Sequence, residues 1–227
     1  QYFENNLTNR HTGDLNIDQV VNNHVKLYFK NSVSWFNDAY KSNSLVYSGE
    51  QLNYYSELST LIKYGNNNSF VGGINVVGNH LKMTHANRLI PNHSLQNNTI
   101  GFFAQNTWQV KKNTTLELGL RDDIHNSFGN FFLSRIAFFN RFDVHCDLRI
   151  VVGFGYKTPD PYAPYFTDYS PDKIELLPLH ILAEKSIGYN AEMNYKLDFD
   201  NGDHIFINQA FFLTQIIDPI VGTENAN

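Results

Sequence analysis

Two runs decide how this chain folds: Ile100-Gly101-Phe102-Phe103-Ala104-Gln105-Asn106-Thr107-Trp108 and, after a short polar break, Leu116-Glu117-Leu118-Gly119-Leu120-Arg121-Asp122-Asp123. In the second run, leucines at every other position alternate with Glu117, Gly119 and Arg121. A period of two places the apolar side chains on one face of a β-strand and the polar ones on the other. The pattern predicts strands over 99–110 and 115–126, joined through Lys111–Thr114 as a hairpin.

The same alternation recurs on either side of this hairpin. Val25, Leu27, Phe29, Val33 and Trp35 alternate with Lys26, Tyr28, Lys30, Ser32 and Ser34. Cys146, Leu148, Ile150, Val152 and Phe154 alternate with mostly polar or small residues, as do Ile187, Tyr189, Ala191, Met193 and Tyr195. Strands are predicted over 25–37, 51–65, 69–80, 130–142, 145–156, 180–197 and 203–217 as well. Residues 1–20 have room for one more strand, though no alternation there fixes it, and Val21–His24 reads as a turn. No stretch shows the i, i+3, i+4, i+7 spacing of an amphipathic helix.

The connections alternate in length. Asn66–Asn68, Lys111–Thr114, Phe142–Val144 and Asp198–Gly202 are short, whereas 38–50, 81–98 and 157–179 are long; 126–130 is short where a long one is due. Short turns on one edge and long loops on the other are the habit of outer-membrane β-barrels. Strands of more than ten residues also reach the length needed to cross a bilayer at a tilt. Trp35-Phe36, Tyr54-Tyr55, Tyr64, Trp108, Tyr156 and Tyr195 sit near strand ends. They suit interfacial girdles, although Tyr and Phe are also simply good strand formers. Periodicity alone does not separate a barrel wall from a soluble sandwich.

Composition narrows the classes. The chain has 227 residues, 42% hydrophobic, 15% aromatic and 17% charged, with a net charge of −5. That aromatic content excludes a disordered chain, and the single cysteine, Cys146, excludes a disulfide scaffold. No apolar run approaches the ~18 residues of a spanning helix. The acidic balance gives no support to nucleic-acid binding. The chain opens Gln1-Tyr2-Phe3 without Met or a signal peptide and closes on a loop-like Glu224–Asn227, so a processed chain or a fragment is expected.

The hairpin at 100–123 resembles the "FaQdtW…L.lGlRyD" hairpin of the TonB-dependent outer-membrane receptors, with Asn106 where an acidic residue is common and Asp122 where Tyr is usual. Phe132–Ala137 is similar to that family's "flPRla" strand, with Ser134 in place of Pro. Arg149–Pro159 is similar to its "R…g.GYktP" strand, and Ala183–Glu192 to the strand that follows. Tyr55-Ser56-Glu57 and Phe70-Val71-Gly72-Gly73 fit its "sEl…fvgG" hairpin. The resemblance covers residues 51–217 in order. It implies an all-β antiparallel transmembrane barrel of 22 strands closed by an N-terminal plug, of which residues 1–227 would be an interior portion, the plug and the last strands lying outside this chain.

Several residues invite a chemical reading. His80, His85 and His93 lack the spacing of a zinc motif, so no metal site and no cofactor is expected. Loop residues His85, Arg88 and His93 could instead touch an anionic ligand. Gly153-Phe154-Gly155 lacks a third glycine and a following helix, so it is no nucleotide loop. Asp122 and Asp123 point to opposite faces of a strand and cannot share a proton. Cys146 reads as a small hydrophobe, and Lys185 on its apolar face requires a membrane boundary. Glu57, Glu117, Arg121, Arg135, Asp147 and Arg149 fall on the lumen face, where cross-strand ion pairs would join barrel and plug. The segment 157–179 carries Tyr162, Tyr165, Phe166, Asp168 and Tyr169 among five prolines. It is either a recognition loop of rigid aromatics or a loop packed on its neighbours.

By resemblance, the expected function is import of a scarce large solute across the bacterial outer membrane, most commonly a ferric siderophore, with cobalamin and oligosaccharides open. The TonB complex would act through the absent plug. Outer-membrane lipid and lipopolysaccharide would surround the barrel. A small-molecule or metal-chelate ligand and a surface lipoprotein complete the partners that the resemblance admits. The alternative is a non-transporting outer-membrane or extracellular β binding module. An enzyme is not expected, because His85, His93 and Asp168 have no recognisable catalytic spacing.

Overall fold

The computed structural model describes residues 3–43, 46–85, 93–159 and 181–219. They form one antiparallel sheet of ten strands in sequence order: β1 (Glu4–Val20), β2 (Val25–Ser42), β3 (Val46–Tyr64), β4 (Asn68–His85), β5 (His93–Lys111), β6 (Thr114–His125), β7 (Gly129–Arg141), β8 (Cys146–Lys157), β9 (Glu184–Asp198) and β10 (His204–Ile217). All nine anticipated strands are present, with β1 in addition. The outer edges of β1 and β10 have no partner strand among the described residues.

The turns on one edge, here the inner edge, are tight, and the sequence supplies their chemistry. Asn22 Oδ1 accepts the backbone N–H of His24 at 2.8 Å and of Val25 at 2.9 Å, and Asp143 Oδ1 accepts those of His145 at 2.7 Å and Cys146 at 2.8 Å. This is the local bonding by which Asn and Asp set turns. Gly65 and Gly202 adopt φ of 63° and 89°, which residues with a Cβ avoid. The opposite, outer edge holds the connections after β2, β4, β6 and β8.

Two connections expected to be long are mostly strand. Residues 38–42 and 46–50 extend β2 and β3, paired from Asp38↔Gly49 to Lys41↔Val46. Residues 81–85 and 93–98 extend β4 and β5, and Met83 pairs with His93. The alternation fades there because the chain has left the apolar band. Row by row, one face runs Trp35, Leu52, His80, Gln96 and then Asn37, Glu50, Lys82, Ser94. With water on both sides, neither face has to be apolar.

Inside the band the two faces differ sharply. A single row across the sheet reads Val25, Ile62, Phe70, Asn106, Leu118, Ile136, Val152, Tyr189 and Leu213. Asn106 interrupts it, and the Tyr64 hydroxyl donates to its Oδ1. No large side chain is fully buried among the described residues, and Phe132, Leu58 and Ile136 are more than half exposed. Among the described residues, no second layer lies on this face. About 25 cal/mol per Å² is the gain forgone when apolar surface stays in water, so the apolar face needs a non-aqueous surrounding.

Candidate functional site on the polar face

The polar face carries a belt that crosses seven strands. In one row lie Lys30, Glu57, Asn75, Gly101, Asp123 and Phe131, on β2 through β7. Glu57 receives Lys30 Nζ at 3.3 Å, Ser59 Oγ at 3.0 Å and the Tyr55 hydroxyl. Lys30 is half exposed, so this ion pair contributes at most about 1 kcal/mol. The other half of the belt is buried. Asn75 and Asp123 are each 4% exposed.

A buried carboxylate requires a counter-charge. Arg121 supplies it: its Nη2 lies 2.7 Å from Asp123 Oδ1, as an ion pair rather than an aligned hydrogen bond. The same nitrogen donates to Asn75 Oδ1 at 3.1 Å. Tyr156, from β8, donates its hydroxyl to Asp123 Oδ2 at 3.0 Å, and its ring stacks on Phe131 at 3.8 Å and 6°. Gly101 lies beneath this group. A Cβ there would stand 2.3 Å from Asn75 Oδ1 and 2.5 Å from both Arg121 Nη2 and Asp123 Oδ1. The glycine is therefore a steric condition for the network.

A second, shallower group lies toward the inner edge. Arg135 Nη1 is 3.4 Å from Glu117 Oε1 across β6 and β7. Asp147 accepts Asn194 Nδ2 at 2.9 Å, and Asn208 Nδ2 reaches Glu192 at 2.8 Å and Asn194 at 2.7 Å. Arg149 stands opposite Glu192 in the ladder and lines a cleft with Glu117, Asp147 and Asn194. Among the described residues Arg149 forms no ion pair.

The structure thus joins Glu117 to Arg135, but Arg121 turns to Asp123 on its own strand and Glu57 to Lys30. Sequence reading missed Lys30, Asn75, Gly101 and Tyr156 as members of the belt. Only the Arg121/Asp123 spacing, two apart on one strand, was a signal for it. His85 closes β4 and His93 opens β5, so both are strand ends rather than loop residues, again because the strands continue past the apolar band. Arg88, Tyr162, Tyr165, Phe166, Asp168 and Tyr169 lie outside the described residues. Among those described, no three His, Cys, Asp or Glu side chains gather as a metal site.

At the outer edge, His125 Nδ1 accepts the backbone N–H of Ser127 at 3.1 Å and Phe128 at 3.3 Å. Asn126 ties the same turn to β5, its Oδ1 accepting Asn98 N–H at 3.0 Å and its Nδ2 donating to Gln96 O at 2.8 Å. These bonds hold 126–128 as a tight turn on the edge where longer connections occur.

A meander of long strands, apolar on one face and polar-belted on the other, can be matched to solved structures. The copper transporter OprC superposes with a TM-score of 0.70 at 12% identity, over 91% of this chain and 39% of that one. The fold is that of a TonB-dependent receptor barrel. The hemophore receptor HasR of Serratia marcescens, in complex with its hemophore and heme, gives 0.73 at 12% identity over 95% of this chain and 40% of its own. A mutant of the ferric enterobactin receptor PfeA of Pseudomonas aeruginosa gives 0.69 at 13% identity over 93% and 35%. This chain spans about two fifths of the length of these receptor chains. No protein-family profile and no curated protein matches the sequence.

Proposed function

We propose that this chain is a stretch of the wall of a TonB-dependent transporter in the bacterial outer membrane, and that it is not an enzyme. The carrying observation is the sheet itself: strands long enough to cross a bilayer, one face apolar and uncovered among the described residues, the other polar and belted. Lipid would meet the apolar face, with lipopolysaccharide at its outer edge, and the polar face would line the lumen. The structural likeness to receptors for copper, ferric enterobactin and a heme-carrying hemophore supports this reading.

Two unpaired edges in a bilayer would leave rows of backbone groups without partners, which hydrocarbon does not tolerate. Residues 1–227 would therefore sit within a larger barrel, whose plug, outside this chain, would contact TonB. The cargo would be a scarce large solute, a ferric siderophore before cobalamin or an oligosaccharide. Arg88 and the aromatic segment Tyr162, Tyr165, Phe166, Asp168 and Tyr169, with His85 and His93, are the candidate contacts at the mouth; a surface lipoprotein could cap it. The free guanidinium of Arg149 and the carboxylates Glu117 and Asp147 would face the plug.

The test is the native protein, extracted from outer membrane in detergent. Its intact mass should be several times 26.1 kDa, and it should bind ferric siderophores in a titration that Arg88→Ala weakens. A monomer of about 26 kDa overturns the large-barrel reading. A large barrel that binds no ferric chelate leaves transport standing and removes this cargo.

A further inference from the structure

Every neighbouring pair in the sheet except one is laddered along essentially the whole of its shorter strand. The exception is β7–β8. Its ladder runs from Arg141↔Asp147 to Arg135↔Gly153 and stops, although β7 continues to Gly129 and β8 to Lys157. Above the stop, β7 remains bonded to β6 through Ser134 and Gly129, and β8 remains bonded to β9 through Phe154↔Ile187 and Lys157↔Glu184. The outer half of this seam therefore has strand on both sides and no ladder between them.

Side chains close it instead. By alternation Tyr156 belongs with Val152 and Phe154 on the apolar face. Its ring nevertheless stacks on Phe131, which is 6% exposed, and its hydroxyl reaches Asp123 in the polar belt. The seam is fastened by one stacked pair and one charge-assisted hydrogen bond. The ladder also stops at a particular row, which reads Gly119, Arg135, Gly153, Gly188. Three of its four residues lack a side chain, and backbone there bends at little cost.

We infer that the outer ends of β8 and β9, with the end of β10 that is laddered to them, form a flap that hinges at Gly153 and Gly188 and is bolted shut by Tyr156 across the β7–β8 seam. The flap exists whatever the barrel carries. It differs from rim loops in belonging to the wall: opening it would separate β7 from β8 over the outer half of the barrel and leave the inner half laddered. Asp123 couples the bolt to Arg121 and Asn75, so a disturbance of the belt reaches the seam directly.

Peptide-resolved hydrogen exchange on the intact protein in detergent tests this. In the wild type, amides of 129–134 and 154–157 that face the seam should exchange faster than those of the laddered segment 135–141. Tyr156→Phe, which keeps the ring and removes the hydroxyl, should speed exchange at the seam by about tenfold, the usual weight of a hydrogen bond to a charged group, and leave 135–141 unchanged. Phe131→Leu, which removes the stack by a different change, should act in the same direction. Gly153→Ala, whose Cβ would meet Arg135 only at an ordinary 3.6 Å, should slow it about two- to threefold by stiffening the hinge (~0.5–1 kcal/mol for Gly to Ala). Seam amides as protected as 135–141 in the wild type, or unmoved by both Tyr156→Phe and Phe131→Leu, would overturn the proposal.

Discussion

β2–β5 and β6–β8 are made of the same alternating material but stand to different heights. The first group has strands of 18 or 19 residues, the second 12 or 13. At about 3.3 Å per residue and a tilt near 40°, twelve residues roughly span the hydrocarbon and little more, whereas eighteen stand well clear of it. The shared lower region shows strict alternation, and the extra length of β2–β5 does not. Alternation is thus a record of what surrounds each face, not of strand structure as such. The tall strands stay laddered to the top, while the short ones separate at the β7–β8 seam.

The severest test of this difference in height puts one charge at two levels of a single strand. Leu58→Arg on β3, in the apolar band, should destabilise the folded barrel by about 2–4 kcal/mol, read as a shift in the guanidinium unfolding midpoint in lipid vesicles. Ser48→Arg, on the same side of the same strand above the band, should stay within about 0.5 kcal/mol. Equal effects would mean that the band does not end where the alternation does.

Glycines give the second contrast. Gly101→Val forces a side chain into the Asn75–Arg121–Asp123 group and should cost about 1–3 kcal/mol by overpacking. In the tall region, a Cβ on Gly49 would meet Met83 only at 4.0 Å, so Gly49→Ala should be neutral or stabilising by up to about 1 kcal/mol. The same unfolding assay in vesicles reads both.

The least perturbation is expected at the inner edge, beyond the band, where the strands end in water. Asp198 lies 2.7 Å from Lys196; that hydrogen bond, with the lysine charge, holds its carboxyl below the usual value of 3.8. A lowered carboxylate stabilises the fold above its ordinary value, and the contribution disappears as pH falls through the lowered one. Lys196→Met should therefore flatten the pH dependence of the unfolding midpoint below pH 3.8, by a small margin because both groups are solvent-exposed. An unchanged profile would show that the pair contributes nothing measurable.

The banded regions of β2 and β5–β9 were legible because an apolar surrounding on one side and a polar one on the other write a period of two into the chain. β1 was not. Its Leu7, Asn9, His11, Gly13, Leu15 and Ile17 share one face, but only three are apolar, and Asn16 and Thr12 opposite are no more polar than His11 or Asn9. The tops of β2–β5 read as loops for the related reason that both faces are wet. The belt was half legible: Glu57 and Arg121 were visible as lumen-face residues, but their partners Lys30 and Asp123 depended on register. Gly101 and Tyr156 were invisible, because what matters is what lies over the one and how the other leaves its own face.

The strict sequence order of the strands bears on assembly. Every strand pairs with its neighbour in the chain, so the sheet can grow by zipping successive hairpins, each closing a short loop. One step differs. Joining β8 to β9 means closing residues 158–183, against 126–128 for β6 and β7, a loop-closure penalty larger by roughly 2 kcal/mol. Zipping from either side should slow at that point, which makes the β8–β9 junction the natural boundary between separately formed parts of the sheet.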